Sequence, residues 1–197
     1  GDVADILWPS LSHQLMPRDG YNIDLKVCKV GDKIYSSVFI DLFPREIQPF
    51  MVLFGRTLDA QIPWRISFLI DSGGLSSLRL KRAMSSLLSF SSADNRLIND
   101  ACGLLDYIEL NGEDAVVKLR VVATTWADEG DFRSLRAHSA QLARAMQGWG
   151  SCDVSEICGD AFAGTVSSML AVTSESPATA TVASLKDVLS MLPFFRP

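Results

Sequence analysis

The segment FLIDSGG, at residues 68–74, carries the residue types in this chain best suited to chemistry. An apolar strand that runs into Asp71-Ser72-Gly73 would present a carboxylate at its end, with a hydroxyl beside it and a glycine that permits a tight turn. Two carboxylates placed in this way can share one proton and activate water, which is the chemistry of an acid protease. One interpretation of the segment is therefore a catalytic Asp71.

A simple turn between a strand and a helix explains the same residues, and we favour it. The following residues, LSSLRLKRAMSSLL, have helical periodicity, whereas an acid protease needs strands there to form a flap. Asp71 or Ser72 would then lie close to the N-cap of the helix, a position at which both residue types are common. The catalytic interpretation of Asp71 remains a remote alternative.

The other residues with catalytic potential do not assemble into a known motif. Of the two histidines, His13 lies in an irregular segment, and His138 falls on the apolar stripe of a predicted helix, where a partly buried core histidine is the favoured interpretation. The chain has no zinc-binding spacing, no G-x-x-x-x-G-K-[ST] motif and no G-x-G-x-x-G after a strand. We therefore assign no catalytic, cofactor-binding or metal-binding residue.

Composition indicates a globular domain rather than a disordered or membrane-spanning chain. The 197 residues are 48% hydrophobic and 21% charged, and the net charge of −5 disfavours direct contact with nucleic acid. No stretch reaches the roughly 18 apolar residues that a membrane-spanning helix needs. Cys28, Cys102, Cys152 and Cys158 have no metal-ligand spacing and are expected to be reduced, buried thiols.

Alternating strands and helices predict an α+β fold. YNIDLKVCKV and KIYSSVFIDLF alternate apolar and polar residues around Gly31-Asp32, which predicts a hairpin, and a helix is expected to begin near Gln48. DAVVKLRVVATTWAD is the strongest predicted strand, with Thr124 facing outward, and FRSLRAHSAQLARAMQGWG is the strongest predicted helix. We expect a ferredoxin-like split βαβ sandwich with an added N-terminal β-hairpin. The expected divisions are an irregular arm (1–20), a β-hairpin plus helix (21–62), a ferredoxin-like domain (63–171), and a linker with the start of a further domain (172–197).

Residues 64–197 resemble the N-terminal domain of the conjugation ATPases of type IV secretion systems, the family of the fourth VirB component. The resemblance is carried by the strand VVKLRVVATTWAD, the helix FRSLRAHSAQLARAMQGWG, the helix GDAFAGTVSSML and a segment that leads to LPF. ATATVASLKDVLSMLPFFRP is most similar to the TraU/DotO/IcmB branch of this family.

The resemblance implies that Pro197 lies just before a motor domain that uses ATP and Mg²⁺. The whole protein would then be a hexameric ATPase on the cytoplasmic face of the bacterial inner membrane, energising conjugation or effector secretion. The catalytic motifs of the family would lie downstream of Pro197, so this fragment would not itself be an enzyme. Its partners would be other subunits of the secretion machinery and neighbouring protomers.

A docking role requires exposed apolar surface, which the two ends of the chain offer. The expected interface residues are Leu7, Trp8, Leu11, Leu192, Phe194 and Phe195. A complete ferredoxin-like regulatory or protein-interaction domain, unrelated to secretion, is the alternative hypothesis.

Overall fold

The computed structural model describes residues 19–43, 48–72, 116–169 and 176–192. Within these ranges the protein is a mixed α+β structure with a seven-stranded antiparallel sheet and four helices. The strands are β1 (Tyr21–Asn22), β2 (Val27–Val30), β3 (Lys33–Leu42), β4 (Trp64–Asp71), β5 (Val116–Asp128), β6 (Asp153–Glu156) and β7 (Thr181–Ser184). The helices are α1 (Phe50–Asp59), α2 (Phe132–Gln147), α3 (Ala161–Met169) and α4 (Leu185–Met191).

Two long strands, β3 and β5, form the centre of the sheet and pair with each other. On the far edge of β3, β2 pairs with the first half of the strand and β6 with the second half. Strand β5 also has a partner on each edge. Along one edge it pairs with β7 and then with β3, and along the other edge it pairs with β4. The sequence ranges 21–62 and 63–171 therefore contribute strands to the same sheet.

The connections that contain α1 and α2 both cross over a neighbouring strand. Helix α1 leads from β3 to β4, which lie on opposite sides of β5, and α2 leads from β5 to β6, which lie on opposite sides of β3. Four strands consequently follow the spatial order β6-β3-β5-β4, with every adjacent pair antiparallel.

The main core lies between one face of the sheet and helices α1, α2 and α4. Successive side chains of a strand point to opposite faces, so Val38 and Ile40 of β3 share this face with Leu119 and Val121 of β5. The helices contribute Leu53, Leu142, Met146, Val188 and Met191, and each of these side chains is at most 2% exposed. The apolar residues whose periodicity predicted α2 thus form the face by which this helix covers the sheet.

Helix α3 covers the opposite face of the sheet through a polar layer. Thr124 was expected to face outward, but it is fully buried, with its hydroxyl 2.8 Å from that of Ser37 and 3.2 Å from that of Ser168. Thr165 of α3 completes the group, 3.1 Å from the Ser37 hydroxyl. The expectation for Thr124 was wrong because a polar strand face can be covered when the covering helix supplies hydroxyl partners.

The end of the described chain belongs to this sheet. Residues 172–184 were expected to form a linker, but Thr181–Ser184 form β7, antiparallel to Val116–Leu119, and α4 follows immediately. Ser184 caps α4 by accepting a hydrogen bond from the Asp187 backbone at 3.1 Å. Strand propensity in TVAS is weak, and its pairing with β5 supplies the order that local sequence does not predict.

Several sequence-based expectations fall outside the described residues. These are the arm at 1–18, the helical stretches between 75 and 110, Cys102, and the interface candidates Leu7, Trp8, Leu11, Phe194 and Phe195.

Candidate functional site

Asp71 is the last residue of β4 and forms an ion pair. Its Oδ2 lies 2.6 Å from Nη1 of Arg120, a residue of the neighbouring strand β5. The described partner of this carboxylate is therefore a cation rather than the second carboxylate that acid proteolysis requires.

His138 lies in a small polar cleft at the end of the sheet where α2 begins. The cleft has a volume of about 270 Å³, and Lys33, Trp126, Asp128 and Asp131 also line it. His138 Nδ1 is 3.0 Å from the carbonyl oxygen of Trp126, and because a carbonyl only accepts, Nδ1 donates. Asp131 accepts from the Ser134 backbone as the N-cap of α2, and Asp128 is paired with Lys33. These polar groups therefore have structural partners.

The thiols differ from one another in exposure. Cys28 and Cys152 are buried as expected, whereas Cys158 is exposed, so the expectation of burial was wrong for Cys158. Burial raises the pKa of the Cys152 thiol to about 12 and also raises that of Cys28. No group of three potential metal ligands occurs within the described ranges.

The outer surface of α1 carries exposed apolar side chains. Met51 is 56% exposed and Leu58 is 53% exposed, and with Gly55 they follow the i, i+4, i+7 spacing of one helix face. Beyond the helix's own backbone, no atom of the described residues lies within 4 Å of the position that a Cβ on Gly55 would occupy. Met51, Gly55 and Leu58 therefore form an apolar strip, the α1 stripe, with open space at its centre.

Aromatic packing holds α1 in place beneath this stripe. Phe54 meets Trp64 of β4 edge to face, with the ring centroids 5.8 Å apart, and Phe50 meets Phe68 at 5.7 Å. Trp149, just after α2, donates its indole N–H to the carbonyl oxygen of Gln48 at 3.1 Å. Such contacts position α1 more firmly than apolar burial alone.

Strand β4 beside α1 has an unpaired edge within the described part of the chain. All its residues pair with β5 on one side, and no described strand pairs with the other side. Residues 64–69 are all partly exposed although their side chains alternate between the two faces, as expected of an edge strand.

Arg65 on this edge strand is incompletely satisfied. Its Nη2 donates to the Ser168 hydroxyl at 3.0 Å, but its Nε is buried and has no hydrogen-bond acceptor among the described residues. Burial lowers the pKa of the Arg65 guanidinium. Among the described residues no carboxylate pairs with this half-buried cation, which is costly, so Arg65 marks a place where a carboxylate would stabilise the protein.

Sequence reasoning placed the docking surface at the ends of the chain and missed the α1 stripe. Of the expected interface residues, Leu192 is described, and it is partly buried against the main core. The signal for α1 was present in FMVLFGRTLD, where apolar residues extend further round the helix than one buried face requires.

The described helices α1 to α4 lack the length and apolarity that membrane crossing demands. The chain matches no protein-family model, and no curated protein is significantly similar to it.

Proposed function

We propose that this chain is a docking module, the N-terminal assembly domain of a type IV secretion ATPase, built on a ferredoxin-like core. The observation that carries the docking role is the α1 stripe, an exposed apolar strip on a firmly positioned helix. Exposed apolar patches on otherwise polar surfaces mark sites of protein association.

The crossing connections support the ferredoxin-like part of the proposal. In a split βαβ arrangement each helix joins two parallel strands that are separated by one antiparallel strand. The connections through α1 and α2 follow that rule, and the strand order β6-β3-β5-β4 agrees with it. The hairpin strands β1 and β2, the helix α3 and the β7-α4 unit are then additions to this core.

The order of elements supports assignment to the secretion ATPases. The resemblance implies a long strand, a helix that ends at glycine, a short strand and a further helix, and β5, α2, β6 and α3 follow that order. The α2 helix ends at Gln147, immediately before Gly148. In this proposal the motor downstream uses ATP and Mg²⁺, and the domain serves at the cytoplasmic face of the bacterial inner membrane.

The mass of the endogenous protein tests the secretion assignment. We expect a product several times the 21.5 kDa of this chain, with peptides that continue beyond Pro197 into a G-x-x-x-x-G-K-[ST] motif. Intact-mass measurement and peptide mapping on protein from its native source would establish this. A product that ends at Pro197 would rule the assignment out.

Site-specific photo-crosslinking tests the docking role. A photoreactive amino acid at Met51 is expected to form adducts with a subunit of the secretion machinery or with a neighbouring protomer. The matched control is the same group at Leu189, which is 44% exposed on α4. Equal or absent crosslinking at the two positions would contradict a docking role for the α1 stripe.

A complete regulatory or protein-interaction domain is the second candidate. The observation that favours it is that β7 pairs within the sheet and α4 packs in the main core. The same mass measurement separates the two candidates.

A further inference from the structure

We propose that a second copy of the chain pairs with the edge of β4 that no described strand covers, antiparallel and around a two-fold axis at Phe68. Edge strands present unpaired backbone N–H and C=O groups, and soluble proteins protect them by short strand length, charged side chains (lysine above all), proline or a bulge. Strand β4 is eight residues long and regular, and its sequence, WRISFLID, contains neither lysine nor proline. It is thus suited to pair with another strand.

The charges on β4 are placed for self-pairing. Arg65 and Asp71 lie three residues on either side of Phe68, so a two-fold axis at Phe68 sets each Arg65 opposite Asp71 of the second copy. Both are odd-numbered positions of one strand and therefore share a face of the sheet. Directly opposed residues of an antiparallel pair have Cβ atoms about 5 Å apart, which lets opposite charges interact.

This pairing supplies what Arg65 lacks. Arg65 has no carboxylate partner among the described residues, whereas Asp71 is 48% exposed and uses Oδ2 for Arg120. The other oxygen of Asp71 can then accept from Arg65 of the second copy. A carboxylate between two guanidinium groups offsets the desolvation of Arg65, and a charge-assisted hydrogen bond is stronger than a neutral one.

The same register covers apolar surface on the opposite face. Ile70, which is 40% exposed, comes to lie opposite Ile66 of the second copy, and Phe68 meets its own equivalent. Cross-strand pairs of β-branched or aromatic residues stabilise a sheet. Strand pairing therefore brings both charge and apolar complementarity to β4.

Helix α1 extends this interface beyond the strand. Because α1 packs over β4 through Phe50 and Phe54, joining the two sheets would set the two α1 helices side by side, at roughly the 8–10 Å of packed helices. Met51 and Leu58 then meet the other α1 helix. This step rests on the proposed docking role of the α1 stripe, whereas the argument from β4 does not depend on it.

Paired charge reversals test the proposal on the whole chain, 1–197. Sedimentation equilibrium from about 1 µM to about 1 mM is expected to show a monomer–dimer equilibrium for the wild type. Arg65→Glu alone and Asp71→Lys alone are each expected to weaken dimerisation at least about tenfold, because each sets like charges opposite one another twice per dimer. An equimolar mixture of the two variants is expected to dimerise again, because the mixed pair restores both opposite-charge contacts.

Matched variants of exposed residues keep the test independent of folding. Ile70→Lys is expected to weaken dimerisation, and Leu189→Lys, on the far side of β5 from β4, is expected to leave it unchanged. Circular dichroism spectra must be unchanged for each variant. A wild type that is monomeric throughout, or a mixture no more associated than its components, would overturn the proposal. Neither outcome bears on the assignment to the secretion ATPases, which the mass of the endogenous protein tests separately.

Discussion

Hydroxyl groups, rather than apolar side chains, fill much of the space between the sheet and α3. Ser37, Thr124, Thr165 and Ser168 are all nearly or fully buried, and each has a hydrogen-bond partner. A buried hydroxyl lowers the free energy of unfolding when it has no hydrogen-bond partner and changes it little when it has one. This layer therefore specifies how α3 packs on the sheet more than it stabilises the fold. Arg65 borders the layer through Ser168, which links the free edge of the sheet to α3.

At the residue scale, we predict that the thiols react in two classes. At about pH 8, iodoacetamide is expected to modify Cys158 rapidly and to leave Cys28 and Cys152 unmodified, because both are buried and their raised pKa values disfavour the thiolate. Peptide mass spectrometry after timed quenching measures this, with protein unfolded in urea as the control in which Cys28, Cys152 and Cys158 all react. Fast modification of native Cys152 would contradict the burial described here.

At the scale of elements, two helices use glycine for opposite reasons. On α3, a Cβ at Gly164 would lie 2.7 Å from atoms of the buried Ile157 side chain, just after β6, so a larger residue at this position would force Ile157 to move. On α1, Gly55 has open space around it, so no contact within the described chain requires glycine. Gly164 thus allows α3 to pack against Ile157, whereas Gly55 leaves an unfilled space in the α1 stripe.

These two glycines give a matched pair of predictions. Gly164→Ala is expected to lower the free energy of unfolding by about 1–3 kcal/mol, because Ile157 must move within a packed core. Gly55→Ala is expected to raise it by about 0.5–1 kcal/mol, because alanine favours the helix and its Cβ meets no described neighbour. Urea unfolding measures both, and a stabilising Gly164→Ala would disprove the close approach of α3.

Elements with a strong apolar periodicity could be predicted from the sequence. Elements that form only by pairing with another part of the chain could not. The pattern of β5 and the stripe of α2 predicted both elements and their buried residues, such as Val121 and Leu142. Strand β7 was not predicted because TVAS lies in a region rich in serine, threonine and alanine, and it forms a strand only by pairing with β5. The β4 edge and the orphaned Nε of Arg65 were equally out of reach, since both depend on which strands are neighbours.

At the scale of the molecule, strand β5 unites segments that are distant in the chain. It pairs with β3, β4 and β7, and the apolar side chains on one of its faces lie in one core with α1, α2 and α4. Residues 178–192 therefore contribute to the stability of the whole sheet rather than forming an independent tail.

A comparison within α4 tests this integration. Met191→Ala is expected to lower the free energy of unfolding by about 2–5 kcal/mol, because Met191 is 2% exposed in the main core. Leu189→Ala, on the exposed side of the same helix, is expected to change it by no more than about 0.5 kcal/mol. Chemical denaturation followed by tryptophan fluorescence distinguishes them, and equal effects would mean that α4 does not pack on the sheet.

The central place of β5 has a consequence for how the chain is made. Strands β3 and β4 leave the ribosome before β5, and residues 72–115 must be translated between β4 and β5. At about 5–20 residues per second, the nascent chain spends several seconds with β4 and the second half of β3 unpaired, because β2, which pairs with the first half of β3, is the only one of their partner strands already made. Until β5 emerges, the alternating apolar residues of β3 and β4 remain exposed to other chains, so the yield of correctly folded protein should depend on chaperone occupancy during this interval.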